Sequence, residues 1–146
     1  MKVAVASDHR GVELKEKVKQ LLVKLGHEPV DCGTNSKESV DYPDFGLKAA
    51  RAVADGSVDR AVTICWTGNG MNIAANKVKG IRAGLAINAE MAYLTRLHND
   101  ANVLALSQKY TPEDQLEEVL KSFLDTEFEG GRHIARVEKI KQAEEA

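Results

Sequence analysis

The sequence lacks a long hydrophobic run and a strong net charge. No apolar segment approaches the ~20 residues that a membrane-spanning helix needs, and the amino terminus, MKVAVASDHR, reaches charged residues too early for a signal peptide. We therefore expect a cytoplasmic protein with no membrane segment. The net charge of −2 supplies no field that would draw the chain to nucleic acid or to an anionic membrane, so neither is an expected partner.

Cysteines are also few, since Cys32 and Cys65 are the only two. In a cytosolic chain of this size, two thiols are more often free than paired, so we expect no disulfide. The sequence contains no internal repeat, linker or low-complexity tract. Its 146 residues suffice for one domain, and its hydrophobic (43%) and charged (29%) fractions exclude collagen-like, disordered and coiled-coil classes. We expect residues 1–146 to form one domain around one core.

Short runs rich in Val, Ile and Ala alternate with helical patterns, which is typical of βαβ units around a parallel sheet covered on both faces. The predicted strands are 2–7, 27–31, 60–65, 82–87 and 102–106. The first two predicted helices cover about 14–25 and 43–55, a third begins near 72, and a fourth covers 89–97. A fifth follows a Thr111 cap, with Pro112 at its first helical position, and a sixth runs from about 131 to the end. The sequence therefore predicts an α/β three-layer αβα sandwich with a five-stranded parallel sheet.

Three polar segments are candidate ligand sites, because open α/β sheets bind ligands beyond the carboxyl ends of their strands. Residues 7–9 (Ser-Asp-His) follow the first predicted strand, and residues 65–72 (CWTGNGMN) follow the third. We place residues 98–100 (His-Asn-Asp), which precede the fifth strand, at the same edge. The first two segments come from strands that a doubly wound order makes neighbours.

The glycine loop at 68–70 fits none of the common phosphate-binding patterns. Ile73 occupies the place of the third glycine of a dinucleotide fingerprint, and Met71 stands where a phosphatase loop needs arginine. A Walker loop is absent as well. The remaining interpretation is a short loop whose backbone N–H groups point from a helix N-terminus at an anion or a developing oxyanion.

Each candidate catalytic side chain also has a purely structural interpretation. Cys65 lies where N–H dipoles favour a thiolate, so it is a nucleophile, a base or a buried structural thiol, whereas Cys32 is expected to be structural. Asp8 is a site residue or a helix cap. His9 and His98 are ligand contacts, core residues or surface residues. Two arginines four residues apart on a helix form either a phosphate clamp or a solvated face; they are Arg132 and Arg136.

Taken together, the sequence resembles the ribose-5-phosphate isomerase B and galactose-6-phosphate isomerase family nearly from end to end. Seven ordered blocks carry this resemblance: SDHRG at 7–11, GT at 33–34, VDYPDF at 40–45, C-x-TGNG at 65–70, IAANKVKGIRA at 73–83, HNDANVLAL at 98–106 and GGRH at 130–133. The resemblance implies a Rossmann-like fold with an extended C-terminal helix. It also implies an aldose–ketose isomerase of sugar phosphates that needs no metal or cofactor, works through a cis-enediolate and shares its sites across a homodimer or homotetramer.

The resemblance also implies a role for each candidate residue. Cys65 is the base that moves a proton between C1 and C2 of the sugar. Asp8 and His98 open the furanose ring, with His98 supplied by the partner subunit. The enediolate oxygens are held by Thr67, by the backbone of Gly68, Asn69, Gly70, Met71 and Asn72, and by Asn99. The phosphate is held by His9, Arg132 and Arg136, with Lys109 near it.

The sequence departs from the family pattern at Val40, a position that is polar in some relatives, and at three positions in or next to the candidate site. Trp66 follows the cysteine where the family usually has glycine, and we expect its indole either to wall the sugar pocket or to pack against a neighbour. Met71 replaces the glutamate base of one branch, which favours Cys65 as base. Lys109 replaces an arginine near the phosphate. We expect ribose 5-phosphate as substrate, the alternatives being another aldose phosphate (allose, galactose or tetrose) or a non-catalytic sugar-phosphate-binding homologue.

Overall fold

Five parallel strands form one central sheet in the computed structural model of the chain, which describes residues 1–145. The strands are β1 (Lys2–Ser7), β2 (Glu28–Asp31), β3 (Arg60–Cys65), β4 (Ala83–Leu85) and β5 (Val103–Ser107), and their order across the sheet is β2-β1-β3-β5-β4. β2 lies on one side of β1 and β3 on the other, so the order of the strands reverses at β1. β1 and β3 are therefore neighbours, as the sequence predicts.

Six α-helices surround the sheet within the described residues. They are α1 (Val12–Lys24), α2 (Tyr42–Ala54), α3 (Asn69–Ala75), α4 (Ala89–Asn99), α5 (Leu116–Asp125) and α6 (His133–Ala143), with a 3-10 turn at Glu113–Gln115. None of the helices in this part of the chain has the length and apolar character needed to cross a membrane. The predicted three-layer α/β sandwich with a final C-terminal helix is therefore confirmed.

The alternating side chains of the buried strands build a different core on each face of the sheet. Val3 and Val5 point toward α1, α4 and α5, where Phe123 is fully buried. Ala4 and Ala6 point toward α2 and α3. Small residues on that second face let the helices lie close to the sheet. The helix-to-sheet packing therefore holds the loops at the strand ends in fixed positions.

A buried lysine fixes the loop that leads from β2 to α2. The side chain of Lys15 is fully buried, and its Nζ lies 2.7 Å and 2.8 Å from the two carboxylate oxygens of Asp31 and 2.5 Å from Oδ1 of Asn35. Lys19 Nζ also binds Asp31, at 2.8 Å. Burial raises the pKa of Asp31, but the hydrogen bonds from Lys15 and Lys19 outweigh it and lower this pKa to about 2. The loop therefore stays anchored to α1 at neutral pH.

Several predicted bounds differ from the observed ones by one or two residues, and three other sequence predictions differ for a reason that the contacts show. α3 begins at Asn69 rather than near 72, because Gly68 adopts φ +85° and turns the chain into the helix at the end of β3. β4 covers only three residues, and the backbone N–H of Arg82 donates to the side chain of Asn102 at 2.9 Å instead of extending the strand ladder. The predicted Thr111 cap is wrong. Its hydroxyl accepts from the Ser107 N–H at 3.0 Å and donates to the Ala86 carbonyl at 3.4 Å.

Candidate active site

The predicted site residues fall into two separate groups within one chain. The first group, which we call the strand-end cluster, lies at the carboxyl ends of β1, β3 and β5 and comprises Asp8, His9, Cys65, Thr67, residues 68–72 and Lys109. The second group lies where α4 ends and α6 begins and contains the predicted residues His98, Asn99, Arg132 and Arg136. We call this group, together with the neighbouring Glu129 and His133, the helix-end cluster.

Strand register places Asp8 beside Cys65. Ser7 pairs with Ile64 in adjacent parallel strands, so Asp8 and Cys65 are the next residues of their two chains at the same edge. Both side chains are buried, with 7% and 6% of their surface exposed. By alternation along the strands both belong to the sheet face that carries α2 and α3. A carboxyl group and a thiol therefore converge below the glycine loop.

Asp8 does not cap α1, so the capping interpretation of this residue is wrong. The N-cap residue of α1 is Gly11, which has no side chain to cap the helix, and the Leu14 N–H of the first turn donates to Oε1 of Gln108 at 3.3 Å. One carboxylate oxygen of Asp8 accepts the backbone N–H of Arg10 at 3.0 Å, and the other has no hydrogen-bond donor among the described residues. The carboxylate is therefore held by its own turn and keeps one oxygen for a ligand.

The glycine loop is pressed tightly against its surroundings. A Cβ on Gly68 would lie 2.9 Å from the Leu106 carbonyl and 2.6 Å from the Leu85 side chain, and Gly68 has a positive φ. A Cβ on Gly70 would lie 2.7 Å from the ring of Tyr42. The first N–H groups of α3 have no partners inside the helix, so a loop fixed in this way presents them as preorganised donors.

Two polar side chains of this loop complete its binding surface. The exposed Thr67 hydroxyl accepts the Asn69 N–H at 3.3 Å, which leaves its own proton free to be donated. The side-chain oxygen of Asn72 is buried and has no hydrogen-bond partner in the described part of the chain. A polar ligand seated on the loop would satisfy both groups.

The two cysteines occupy different environments, and both are free thiols as predicted. Cys65 lies at the root of the glycine loop, where the chain leaves β3. Cys32 packs in the core on the α2 side of the sheet, and burial raises the pKa of its thiol. A raised pKa reduces the thiolate fraction, so the Cys32 thiol is poorly suited to chemistry.

Cationic and aromatic side chains border a cavity of about 260 Å³ beside the strand-end cluster. His9 lies on its wall and accepts the Val40 N–H at Nδ1 (3.1 Å), so the neutral ring carries its proton on Nε2. The Arg10 guanidinium stacks on the Trp66 ring, 3.9 Å from its centroid. Lys109 is held near this wall by its backbone N–H, which donates to the Trp66 carbonyl at 3.0 Å. Trp66 therefore both packs against Arg10 and lines a cavity that His9 shares.

The helix-end cluster centres on two stacked histidines. The rings of His98 and His133 are 4.4 Å apart at an angle of 18°. The Glu129 carboxylate lies 3.9 Å from Nε2 of His98 and 3.6 Å from Nε2 of His133. Arg136 approaches Nδ1 of His133 at 3.5 Å. Burial, followed by the nearby charges of His98 and Arg132, lowers the pKa of His133, so its imidazole is neutral at pH 7.

Sequence reasoning missed Glu129 and His133 as members of this cluster. No periodic signal marks the pair, because Glu129 and His133 lie on either side of two glycines with positive φ that precede α6. The turn at 130–131 precedes α6, and the backbone N–H of His133 donates to the Gly130 carbonyl at 3.0 Å. His133 is thereby directed inward onto His98.

The structure corrects the expected position of residues 98–100. The Asn99 carbonyl accepts Nε of Arg82 at 2.9 Å, and Arg82 directly precedes β4, so α4 ends at the amino edge of the sheet. Cys65 pairs with Ser107 at the opposite edge. The span from Val103 to Ser107 separates the two edges by about 13 Å of strand. One chain therefore does not bring His98 to Cys65.

Comparisons with known proteins extend over nearly the whole chain. A family model described as Ribose/Galactose Isomerase matches residues 3–140. The putative sugar phosphate isomerase YwlF of Bacillus subtilis is 47% identical over 99% of this chain and 98% of its own length. The structure of ribose-5-phosphate isomerase B from Clostridium thermocellum is 50% identical, with a TM-score of 0.97 and coverage of 99% and 98%. The Mycoplasma genitalium enzyme with bound ribulose-5-phosphate is 39% identical, with a TM-score of 0.94 and coverage of 99% and 96%.

Proposed function

The chain belongs to the ribose/galactose isomerase family, and we propose that it interconverts ribose 5-phosphate and ribulose 5-phosphate through a cis-enediolate. The observation that carries this proposal is the convergence of the Asp8 carboxylate and the Cys65 thiol beneath a rigid loop of backbone donors. The bound ribulose-5-phosphate of the Mycoplasma relative supports a pentose phosphate as the ligand.

The reaction begins with the closed sugar ring. Between them, Asp8 and a histidine, His98, remove the proton from the anomeric hydroxyl and deliver a proton to the ring oxygen, which opens the ring to the free aldehyde. The unbonded carboxylate oxygen of Asp8 suits it to hold the hydroxyl proton in this exchange.

Isomerisation then needs one base and a set of fixed donors. The Cys65 thiolate takes the proton from C2 and returns it to C1, while the hydroxyl proton of O2 moves to O1, so the sugar gains and loses no proton overall. Negative charge develops on the sugar oxygens in the intermediate enediolate. The N–H groups of Gly68, Gly70 and Met71 have no partner in the described residues, and together with the Thr67 hydroxyl and Asn99 they stabilise that charge. The loop donors need no reorganisation because the loop is tightly packed.

The phosphate orients the sugar through side chains remote from the reacting carbons. His9 donates from Nε2, since its Nδ1 already accepts the Val40 N–H. Arg132 and Arg136 contribute two guanidinium groups from the start of α6, and Lys109 contributes an ammonium group. Binding energy from the phosphate thus positions C1 and C2 against Cys65.

A complete site requires two copies of the chain. His98, Asn99, Arg132 and Arg136 lie at the opposite edge of the sheet from Cys65, so they serve the strand-end cluster of a partner subunit. A two-fold dimer meets this need, because each subunit gives its helix-end cluster and receives one in return. The active unit is therefore a homodimer or a tetramer of such dimers.

The proposal is tested by assaying conversion of ribose 5-phosphate to ribulose 5-phosphate in the wild type, in Cys65→Ala and in a control, Cys32→Ala. Loss of the general base should lower kcat by at least ~10², whereas Cys32→Ala should retain turnover. Iodoacetate should inactivate the wild type, with substrate protecting it. Unchanged turnover in Cys65→Ala contradicts the cysteine base.

Substrate choice is tested by a panel containing allose, galactose and tetrose phosphates. If one of these is turned over faster than ribose 5-phosphate, that aldose phosphate is the preferred substrate. Binding of the whole panel without any turnover would assign the chain to the non-catalytic alternative.

A further inference from the structure

We propose that the helix-end cluster binds a divalent transition-metal ion of the Zn²⁺ type through His98, Glu129 and His133, and that the bound metal inhibits the isomerase. Binding follows from the geometry of these three side chains alone. Inhibition rests on the proposed function, because it depends on the role of His98 in the site of a partner subunit.

The three side chains supply a donor set that suits such an ion. Two imidazole nitrogens and one carboxylate oxygen lie within 4.8 Å of one another. Zn²⁺ binds two histidines and a glutamate, with water in the fourth position, at bonds of about 2.0–2.2 Å, so the ligand atoms must draw together by roughly 1 Å. The His98 side chain is 36% exposed and that of Glu129 is 53% exposed, which gives both of them room to rotate.

His133, the buried member of the cluster, has a polar atom without a hydrogen-bond partner, which indicates a missing ligand. Only 5% of His133 is exposed, and its Nε2 has no hydrogen-bond partner in residues 1–145. The Glu129 carboxylate, at 3.6 Å, is beyond hydrogen-bond range. A buried ring nitrogen without a partner is unfavourable, and a metal ion placed between His133 and Glu129 would satisfy it.

The polypeptide holds the three ligands near one another. The Glu129 backbone N–H donates to the Leu97 carbonyl at 3.0 Å, which ties the segment before α6 to the end of α4 next to His98. The rings of His98 and His133 are stacked 18° from parallel, so their Nε2 lone pairs do not converge on one point. Closing the site therefore requires the more exposed His98 ring to rotate out of the stack, while the backbone link keeps its α-carbon beside the other two ligands.

The neighbouring guanidinium groups set a condition on binding. Arg136 donates toward Nδ1 of His133 at 3.5 Å, whereas a metal on Nε2 leaves the ring proton on Nδ1. Arg136 is exposed and can turn away, and the Glu129 carboxylate offsets part of the local positive charge. Binding of the metal therefore competes with the Arg136 contact and withdraws the His98 nitrogen from proton transfer.

Binding is measured by titrating the intact protein with Co²⁺, whose visible absorption reports coordination geometry, and then displacing it with Zn²⁺. The variants are Glu129→Gln and His133→Gln, with His27→Gln as a control outside both clusters. We expect one four-coordinate Co²⁺ per chain in the wild type and in the control. Each ligand variant should bind at least about tenfold more weakly, since even loss of an outer partner costs that much.

Cys65 is the competing metal ligand, and the same spectra separate the two sites. Co²⁺ on a thiolate adds a near-ultraviolet charge-transfer band, which the proposed site lacks. Affinity that is unchanged in both ligand variants, or a thiolate band accompanying the bound ion, overturns the site. Glu129→Gln guards against a folding artefact, because its side chain is largely in solvent.

Inhibition is measured separately, as the fraction of each variant's own isomerase rate that remains after Zn²⁺ is added. Reversibility is measured as the fraction of that rate that returns after a chelator removes the metal. We expect reversible inhibition in the wild type and in His27→Gln, and a shift of at least about tenfold in the inhibiting concentration for Glu129→Gln. Metal binding without inhibition overturns the inhibitory role alone. Absence of any isomerase activity counts against the proposed function, and the Co²⁺ titration still decides the metal site.

Discussion

At the scale of single residues, Trp66 is the feature that distinguishes this chain within its site. The sequence predicts that the backbone keeps a negative φ there, and this is confirmed, because Asp100 is the only non-glycine residue with positive φ among the described residues. The indole lies under the Arg10 guanidinium and is 36% exposed. The indole and His9 line the same cavity, so under the proposed phosphate role of His9 the indole limits the size of the sugar that fits beside it.

Trp66→Gly should therefore raise kcat/KM for six-carbon phosphates relative to five-carbon phosphates. Trp66→Phe, which keeps a ring under Arg10, should leave that ratio nearly unchanged. Because Trp66 is the only tryptophan, saturation with sugar phosphate should also change the intrinsic fluorescence of the wild type. A constant ratio in Trp66→Gly together with insensitive fluorescence would restrict Trp66 to packing.

Arg136 provides a second test at this scale, because it separates phosphate binding from a solvated helix face. Arg136→Ala should raise KM for the phosphorylated sugar, and the effect should exceed tenfold because a hydrogen bond to a charged group contributes ~1.5–3 kcal/mol. Weak activity on free ribose or allose should hardly change. Arg51→Ala, on the exposed face of α2, is the control. Equal losses on phosphorylated and free sugars would refute a phosphate contact.

At the scale of elements, sequence patterns predicted the buried strands better than the boundaries that depend on side chains. β1 and β3 have their predicted limits because continuous apolar runs mark strands buried on both faces. The start of α3 depends on one glycine in a left-handed conformation, and the start of β4 depends on an asparagine from another segment. Neither contact has a periodic signature, so pattern analysis places these boundaries a few residues away.

The anchor between α1 and the end of β2 predicts a specific acid response. Asp31 has a folded pKa of about 2, below the ~3.9 of an unfolded aspartate. Its stabilisation is therefore complete above pH ~4 and is lost as the pH falls from ~4 toward 2. The free energy of unfolding, measured by urea denaturation at several pH values, should fall over this range in the wild type.

Asp31→Asn should lower the free energy of unfolding at pH 7, because Lys15 then stays buried without its carboxylate, and the variant should lose much of the pH dependence between 4 and 2. Asp114→Asn, an exposed carboxylate of the 3-10 turn, is the control and should follow the wild-type pH profile. A variant profile that is parallel to the wild type would show that another group causes the acid transition.

At the scale of the whole molecule, the sequence predicts which residues form the strand-end cluster but not how the helix-end cluster is placed. The order of elements decides that Asp8 and Cys65 are neighbours, and this follows from a doubly wound sheet. Residues 98–100 precede their strand, so they lie at its amino edge. The family resemblance, rather than any periodicity, supplied the expectation that His98 acts from another subunit.

The proposed sharing of sites between subunits predicts complementation between two inactive proteins. Cys65→Ala and His98→Asn should each be nearly inactive alone. After unfolding and co-refolding in equal amounts, about a quarter of the wild-type activity should return, because half of the dimers are mixed and each mixed dimer has one complete site. Co-refolding Cys65→Ala with Thr67→Ala is the control, since both defects lie in one cluster. No recovery in the His98 pairing would refute the shared site.

The strand length that separates Cys65 from His98 also has a genetic consequence. A subunit altered at one of these residues still completes one of the two sites in a dimer with a normal subunit, so half of the capacity survives in each mixed pair. A subunit altered at both residues completes neither site, because its defective strand-end cluster inactivates one site and its defective helix-end cluster inactivates the other. With equal amounts of each copy, a double-defect allele beside the wild type leaves about a quarter of the sites complete, half of what the wild-type copy provides alone, so it is dominant. The same two defects on separate copies also leave about a quarter of the sites complete, but here the two copies rescue one another, since neither is active alone.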